Sequence, residues 1–177
     1  DVARPAPRPG EYDAELRKEA TQARSPEPVP GKAARTLPLE GITIVELATF
    51  YAGPYGATLL TELGARVIKL EEPNGDPMRG MLPFPEIGAL KCLYGKESVA
   101  VDLGTSEGQE IARKIIGKAD VVLQSFRGGV AERLGLDAET MRAINPDLLY
   151  YNAPGYGVDG PYARRPAFAP TIGAAAG

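Results

Sequence analysis

Residues 51–73, YAGPYGATLLTELGARVIKLEEP, run from a Gly-Pro turn through a helix into a strand. Gly53-Pro54 makes the turn, and proline suits a first helical position because its missing N–H would be unpaired there anyway. Leu59, Leu60 and Leu63 line one helical face, Gly64 is placed to end the helix in a left-handed conformation, and RVIKLE (66–71) follows as a strand. Just upstream, ITIVEL (42–47) is a β-branched run suited to a strand buried on both faces. Strand, turn, helix and strand in that order begin a parallel sheet. The turn itself has two readings, the mouth of a nucleotide-type pocket at a helix N-terminus or a plain corner.

The alternation continues downstream. SVAVDL (98–103) reads as a third strand, and Ser106 with Gln109 forms an S-x-x-Q capping box for a helix that buries Ile111, Ile115 and Ile116. ADVVLQSF (119–126) is a fourth strand. Asp137 caps a helix running through Met141 and Ile144 to Asn145-Pro146, and DLLYYNAP (147–154) is a fifth strand entering a Gly-rich loop. The expected fold class is α/β: a Rossmann-like, largely parallel sheet with helices on both faces, incomplete in this chain. A truncated sheet leaves an open edge and an uncovered apolar face, which predicts self-association.

Residues 1–40 differ in texture, with 7 of the 17 prolines and a single aromatic, Tyr12, so they bury little. A short helix is expected over 11–23, using Leu16 and a few alanines, followed by a semi-extended spacer at 25–38. Residues 1–37 are therefore read as a linker and 38–177 as the folded unit.

Composition removes several chemistries. With no histidine among 177 residues, Ser-His and Cys-His pairs, His metal sites and imidazole acid/base work are excluded. Cys92 is the only cysteine, which leaves no intrachain disulfide or Cys cluster and fits a reducing, cytoplasmic setting. The net charge of -3 comes with no basic run, which argues against nucleic acid. No apolar run is long enough to span a bilayer. The dinucleotide fingerprint G-x-G-x-x-G is missing, since AGPYGA carries glycines only at 53 and 56, and this weakens any NAD or FAD proposal. Asp102, Asp120 and Asp76 are read as caps and turn residues, and Glu71 as a partner for Arg66 or Lys69.

The run LEGITIVELATFYAGPYGATLLTELGARVIKLEEPNGDPMRG, then KESVAVDL, then ADVVLQSFRGGVAERLGLD, then INPDLLYYNAPGYGVDGPYA resembles, in order and spacing, the start of the class III CoA-transferases of the CaiB/BaiF type. Formyl-CoA transferase, carnitine CoA-transferase and α-methylacyl-CoA racemase belong to that family. The resemblance covers 37–177 and implies the N-terminal part of a longer, interlocked dimer or pseudo-dimer. It implies acyl-CoA and a carboxylate acceptor as substrates, with coenzyme A bound and no metal. In the family an aspartate carboxylate attacks the thioester to give a mixed anhydride and free CoA thiolate. That aspartate falls beyond the equivalent of Gly177, so no catalytic residue is assigned here. PRPGEYDAELRKEA (7–20) also resembles the family's C-terminal signature, which suggests a tandem fusion.

The resemblance places Phe50, Tyr51, Ala52, Val101, Ser125, Phe126 and Arg133 on the CoA side. Tyr51 stands where formyl-CoA transferase has a glutamine beside the reacting acyl group, and a phenol does not reproduce an amide. Glu72 replaces a CoA-contacting arginine, Gly104 a lysine and Ser125 an asparagine, whereas Phe126 and Arg133 are kept. Arg79 in GDPMR matches a common family residue and reads equally as a loop salt-bridge partner. Phe168 and Ala169 stand where racemases carry a proton-moving histidine and an acid, so that route has no base. A degenerate, non-catalytic scaffold domain is the alternative.

Overall fold

The computed structural model describes residues 7–21, 37–80 and 91–177. Its strands are β1 (Thr43–Glu46), β2 (Arg66–Glu71), β3 (Glu97–Ala100), β4 (Val121–Gln124) and β5 (Leu149–Asn152). They form one all-parallel sheet in the order β3-β2-β1-β4-β5. The described helices are α1 (Asp13–Thr21), α2 (Ala52–Glu62), α3 (Ser106–Ile116), α4 (Val130–Leu134), α5 (Ala138–Ile144) and α6 (Ala169–Ala176), with a 3-10 turn at Pro77–Arg79. The chain lays down β1, β2 and β3 outward, then returns past β1 to add β4 and β5. That reversal is the doubly wound pattern, and it opens a crevice at the carboxyl ends of β1 and β4.

Alternate residues of the inner strands β1, β2 and β4 feed two cores. Val45, Ile68, Leu70, Val99 and Val122 pack on one face against Ile115 and Ile116 of α3 and Met141 of α5. Ile44 and Val67 pack on the other against Ala57 of α2. Of the expected leucine face of α2 only Leu60 packs on this core; Leu59 and Leu63 are exposed, and Pro54, Ala57 and Thr58 meet the sheet. Small residues let the helix lie close to the strands, which turns Leu59 and Leu63 outward. Gly64 ends the helical segment with φ +98°, as expected. At the far edge Leu149 and Tyr151 of β5 are exposed.

Helix α1 closes the opposite edge. Leu16 joins the main core, the Tyr12 amide donates to Ser98 O, and Ala100 N donates to Asp13 Oδ1 at 2.7 Å. Arg66 grips Glu19 of α1 and Glu97 of β3, at 2.6 and 2.8 Å. Its hydrogen bond to Glu19 holds that carboxyl below its ordinary pKa. The helix ends at Thr21, and the spacer at 25–38 lies outside the described residues apart from 37 and 38.

Two local expectations are corrected. The cap of α3 is Thr105, whose extended backbone turns its side chain to accept from Gly108 N at 3.0 Å; Ser106 is already helical, and Gln109 donates to Leu103 O. Glu71 pairs with neither Arg66 nor Lys69. Arg79 binds it at 2.6 Å and the Ser98 hydroxyl at 2.5 Å, because Lys69 is engaged across the sheet and Arg66 is held by α1 and β3. Asp137 caps α5 as read from the sequence, accepting from Thr140 N at 3.0 Å.

Candidate functional site at the sheet switch point

The β1–α2 connection, residues 47–51, stands at the crevice between β1 and β4. Its start is tied to β4 by Leu47 N donating to Leu123 O at 2.8 Å. Phe50 adopts φ +66°, the one described non-glycine residue with positive φ, which is a sparsely populated state for an aromatic residue. Its ring meets that of Phe168, the N-cap of α6, edge to face at 5.1 Å. Tyr51 is the N-cap of α2, half exposed and stacked on Tyr55 at 5.4 Å. No side chain caps α2 and no acidic residue sits in its first turn. The Ala52 end of the helix therefore presents backbone N–H groups and a partial positive charge, the arrangement that receives anions.

Beside it, the ends of β4 and β5 enclose a cleft of about 360 Å³ lined by Phe126, Arg127, Glu132, Asn152 and Arg164, among others. Gln124 sets its floor, donating to Asn152 Oδ1 at 2.7 Å and accepting from Phe126 N at 2.6 Å. An aromatic ring and two guanidinium groups in one cleft can take a base and phosphates, although Glu132 opposes the anion there. Of the sequence-expected residues, Phe50, Tyr51 and Ala52 lie at the α2 end, and Ser125 and Phe126 at the β4 end. Arg133 is exposed on α4 and Val101 is 3% exposed inside the main core. Arg127 and Arg164 were missed; RGGV and ARRP offered charge, but only the approach of two loops showed that it converges.

Beneath the connection lies a cluster of buried charges that sequence reading also missed. Glu46 accepts from Lys69 Nζ at 2.8 Å and from Lys96 Nζ at 2.5 Å, with all three side chains at most 1% exposed. Lys69 also contacts Asp76 Oδ2 at 2.9 Å and donates to Ala48 O at 2.7 Å. Lys96 donates to Pro54 O and Cys92 O, each at 2.7 Å. Arg79 and Glu71 complete the set, giving three cations and three carboxylates with no net charge. Such groups tolerate burial only when paired and hydrogen-bonded, and losing one partner costs about 3–5 kcal/mol. Burial opposes the charge on Lys69, but Glu46 and Asp76 outweigh it and raise its pKa. Lys96 faces Glu46 alone among carboxylates, and there burial prevails and lowers the pKa. The available signal was one charge at the same place in two apolar runs, Val-Glu-Leu and Ile-Lys-Leu; the parallel register sets Glu46 directly opposite Lys69.

The order of strands and the crevice at β1 and β4 define a doubly wound α/β protein with an open switch point. Its sequence narrows this further: the profile of CoA-transferase family III matches residues 39–177, and the chain belongs to that family. The alpha subunit of succinyl-CoA–L-malate CoA-transferase from Chloroflexus aurantiacus is 39% identical over 153 residues, 83% of this chain and 36% of that protein. Acetyl-CoA:oxalate CoA-transferase from Acetobacter aceti is 38% identical over 144 residues, 79% of this chain and 37% of its own. The crystal structure of Rv3272 from Mycobacterium tuberculosis superposes with a TM-score of 0.76 at 37% identity, covering 80% of this chain and 40% of that one. The chain thus spans somewhat over a third of the length of these relatives. No helix among the described residues is long and apolar enough to cross a membrane.

Proposed function

We propose that this chain is the CoA-binding, N-terminal part of an acyl-CoA:carboxylate CoA-transferase. The observation that carries the reading is the uncapped, acid-free N-terminus of α2 standing at the switch point beside the Phe126, Arg127 and Arg164 cleft. Coenzyme A is a polyanion with an aromatic base, and these residues match its two chemistries: guanidinium and helix N–H groups for phosphate, a ring for adenine. Phe50, Tyr51, Ala52, Ser125 and Phe126 would line its path, with Arg133 at the rim. Val101 would act only through the packing of β3. In the complete enzyme a carboxylate nucleophile outside this chain would attack the thioester, forming an acyl-enzyme anhydride and CoA thiolate; the thiolate would attack the enzyme carbonyl and free the donor acid, and the acceptor carboxylate would then displace CoA from the enzyme and take it up as its own thioester, which restores the enzyme carboxylate. Residues 38–177 would be the first part of the Rossmann-like domain, and 1–37 a joining segment whose helix α1 packs along β3. An interlocked dimer or pseudo-dimer in the cytoplasm would complete the site.

Two replacements favour a second reading, a non-catalytic scaffold. Glu72 is exposed at a position where a cation would help CoA, and Gly104 offers no side chain at another. Calorimetric titration of CoA into the native chain and into Glu72→Arg separates the two readings. Micromolar binding by the native chain is expected. Binding that appears only with the arginine makes this copy a scaffold, and no binding to either refutes the CoA reading.

A further inference from the structure

The buried charge cluster does more than fill the core, because three of its six side-chain contacts with backbone outside it converge on one short segment. Lys69 Nζ holds Ala48 O at 2.7 Å, Asp76 Oδ1 accepts from Phe50 N at 3.3 Å, and Lys96 Nζ holds Pro54 O at 2.7 Å. Glu46 links the two ammonium groups from the strand that leads into the segment. The segment needs holding: Phe50 sits at φ +66°, and Gly53 lies so near Ala48 that a Cβ on it would fall 2.4 Å from the Ala48 Cβ. Nothing in local sequence preference selects that path, since an aromatic residue resists positive φ. The holding groups come from three separate places in the chain: Lys69 on β2 and Lys96 just before β3 donate to carbonyls, and Asp76 in the turn after β2 accepts from an amide.

We propose that Glu46, Lys69, Asp76 and Lys96 are positioning residues: a charge clamp that fixes the backbone of residues 48–54 so that the α2 N-terminus faces the ligand. None of the four side chains reaches the crevice, so each acts through the segment it holds. The role in ligand binding rests on the reading of α2 as the CoA-facing end; the ordering of the segment does not.

The test is amide hydrogen exchange of the segment 47–54 in the full chain at constant pH, with CoA titration alongside. The variant Glu46→Gln/Lys96→Met removes one charge of each sign and leaves the Lys69–Asp76 pair intact. Lys69→Met/Asp76→Asn is the complementary variant and leaves Glu46 with Lys96. In a variant that still melts cooperatively, segment exchange is expected to rise at least tenfold while β4 and α3 amides stay unchanged, and CoA affinity to fall at least tenfold. A purely structural role would speed exchange everywhere in step with lost stability and spare CoA affinity in the folded fraction; that result overturns the proposal, as does unchanged segment exchange. If neither variant folds, the native chain decides: the Phe50 amide should exchange only through global unfolding, and fast local exchange refutes the clamp. Should the native chain fail to bind CoA, the functional reading falls while the exchange arm still judges the ordering of the segment.

Discussion

Replacing Gly53 by alanine tests the tight turn at the heart of the crevice. The new Cβ would stand 2.4 Å from the Ala48 Cβ, with Leu123 Cδ2 at 3.4 Å on another side. Carbon atoms in contact settle at about 3.5–4.0 Å, so helix and connection must part by about 1 Å or more. Neither group can swivel away, because both are methyl carbons fixed to backbone, and Ala48 is fully buried. Overpacking of this kind costs about 1–3 kcal/mol, whereas exchanging glycine for alanine in a helix returns about 1 kcal/mol. Gly56→Ala, three residues on in the same helix, meets nothing within 4 Å and keeps the helical gain, so it is the control. The expected outcome is a net loss of up to about 2 kcal/mol for Gly53→Ala and a gain of about 0.5–1 kcal/mol for Gly56→Ala. At about 2–4 °C per kcal/mol for a chain of this size, the two melting temperatures should separate by several degrees, and urea midpoints should agree. Adding Ala48→Gly to Gly53→Ala removes the collision and should recover most of the loss. Equal stabilisation by Gly53→Ala and Gly56→Ala would show that α2 does not approach Ala48 as described.

Two further outcomes follow from packing and charge. Leu16→Ala should cost about 2–4 kcal/mol by urea unfolding, since Leu16 is a buried member of the main core; a loss near zero would mean that α1 is not docked. Burial alone would raise the Glu71 pKa, but Arg79, Ser98 and the Asp76 amide together hold it below its ordinary value of 4.5. A depressed folded-state pKa contributes stability that is complete above the unfolded value and disappears as pH falls through the folded one. Stability should therefore fall as pH drops below about 4.5 and be less acid-sensitive in Glu71→Gln, which starts lower; identical pH profiles for the two chains would refute the pairing.

The sequence by itself determined the succession of elements. β-branched runs, Gly64 at a helix end and Asp137 at a helix start act within a few residues of themselves, so their consequences are legible locally, and the alternation they create leaves a parallel sheet as the natural outcome. It also singled out the connection at Phe50 to Pro54, which the strand order places at the crevice between β1 and β4. It did not show which side of α2 is buried, because Leu59 and Leu63 satisfy the apolar pattern while the close packing of Ala57 and Thr58 decides the contact. Nor did it give α4 or α6, the first too short for periodicity and the second masked by a run of small residues, with Pro170 as its only start signal. The largest gap was electrostatic. Glu46, Lys69, Asp76 and Lys96 look like ordinary surface charges one at a time, and Arg127 and Arg164 lie far apart in the chain. Register and strand order brought the first four together out of water and the last two into one cleft. Charge pairing depends on distance in space, and only the tertiary structure sets that distance.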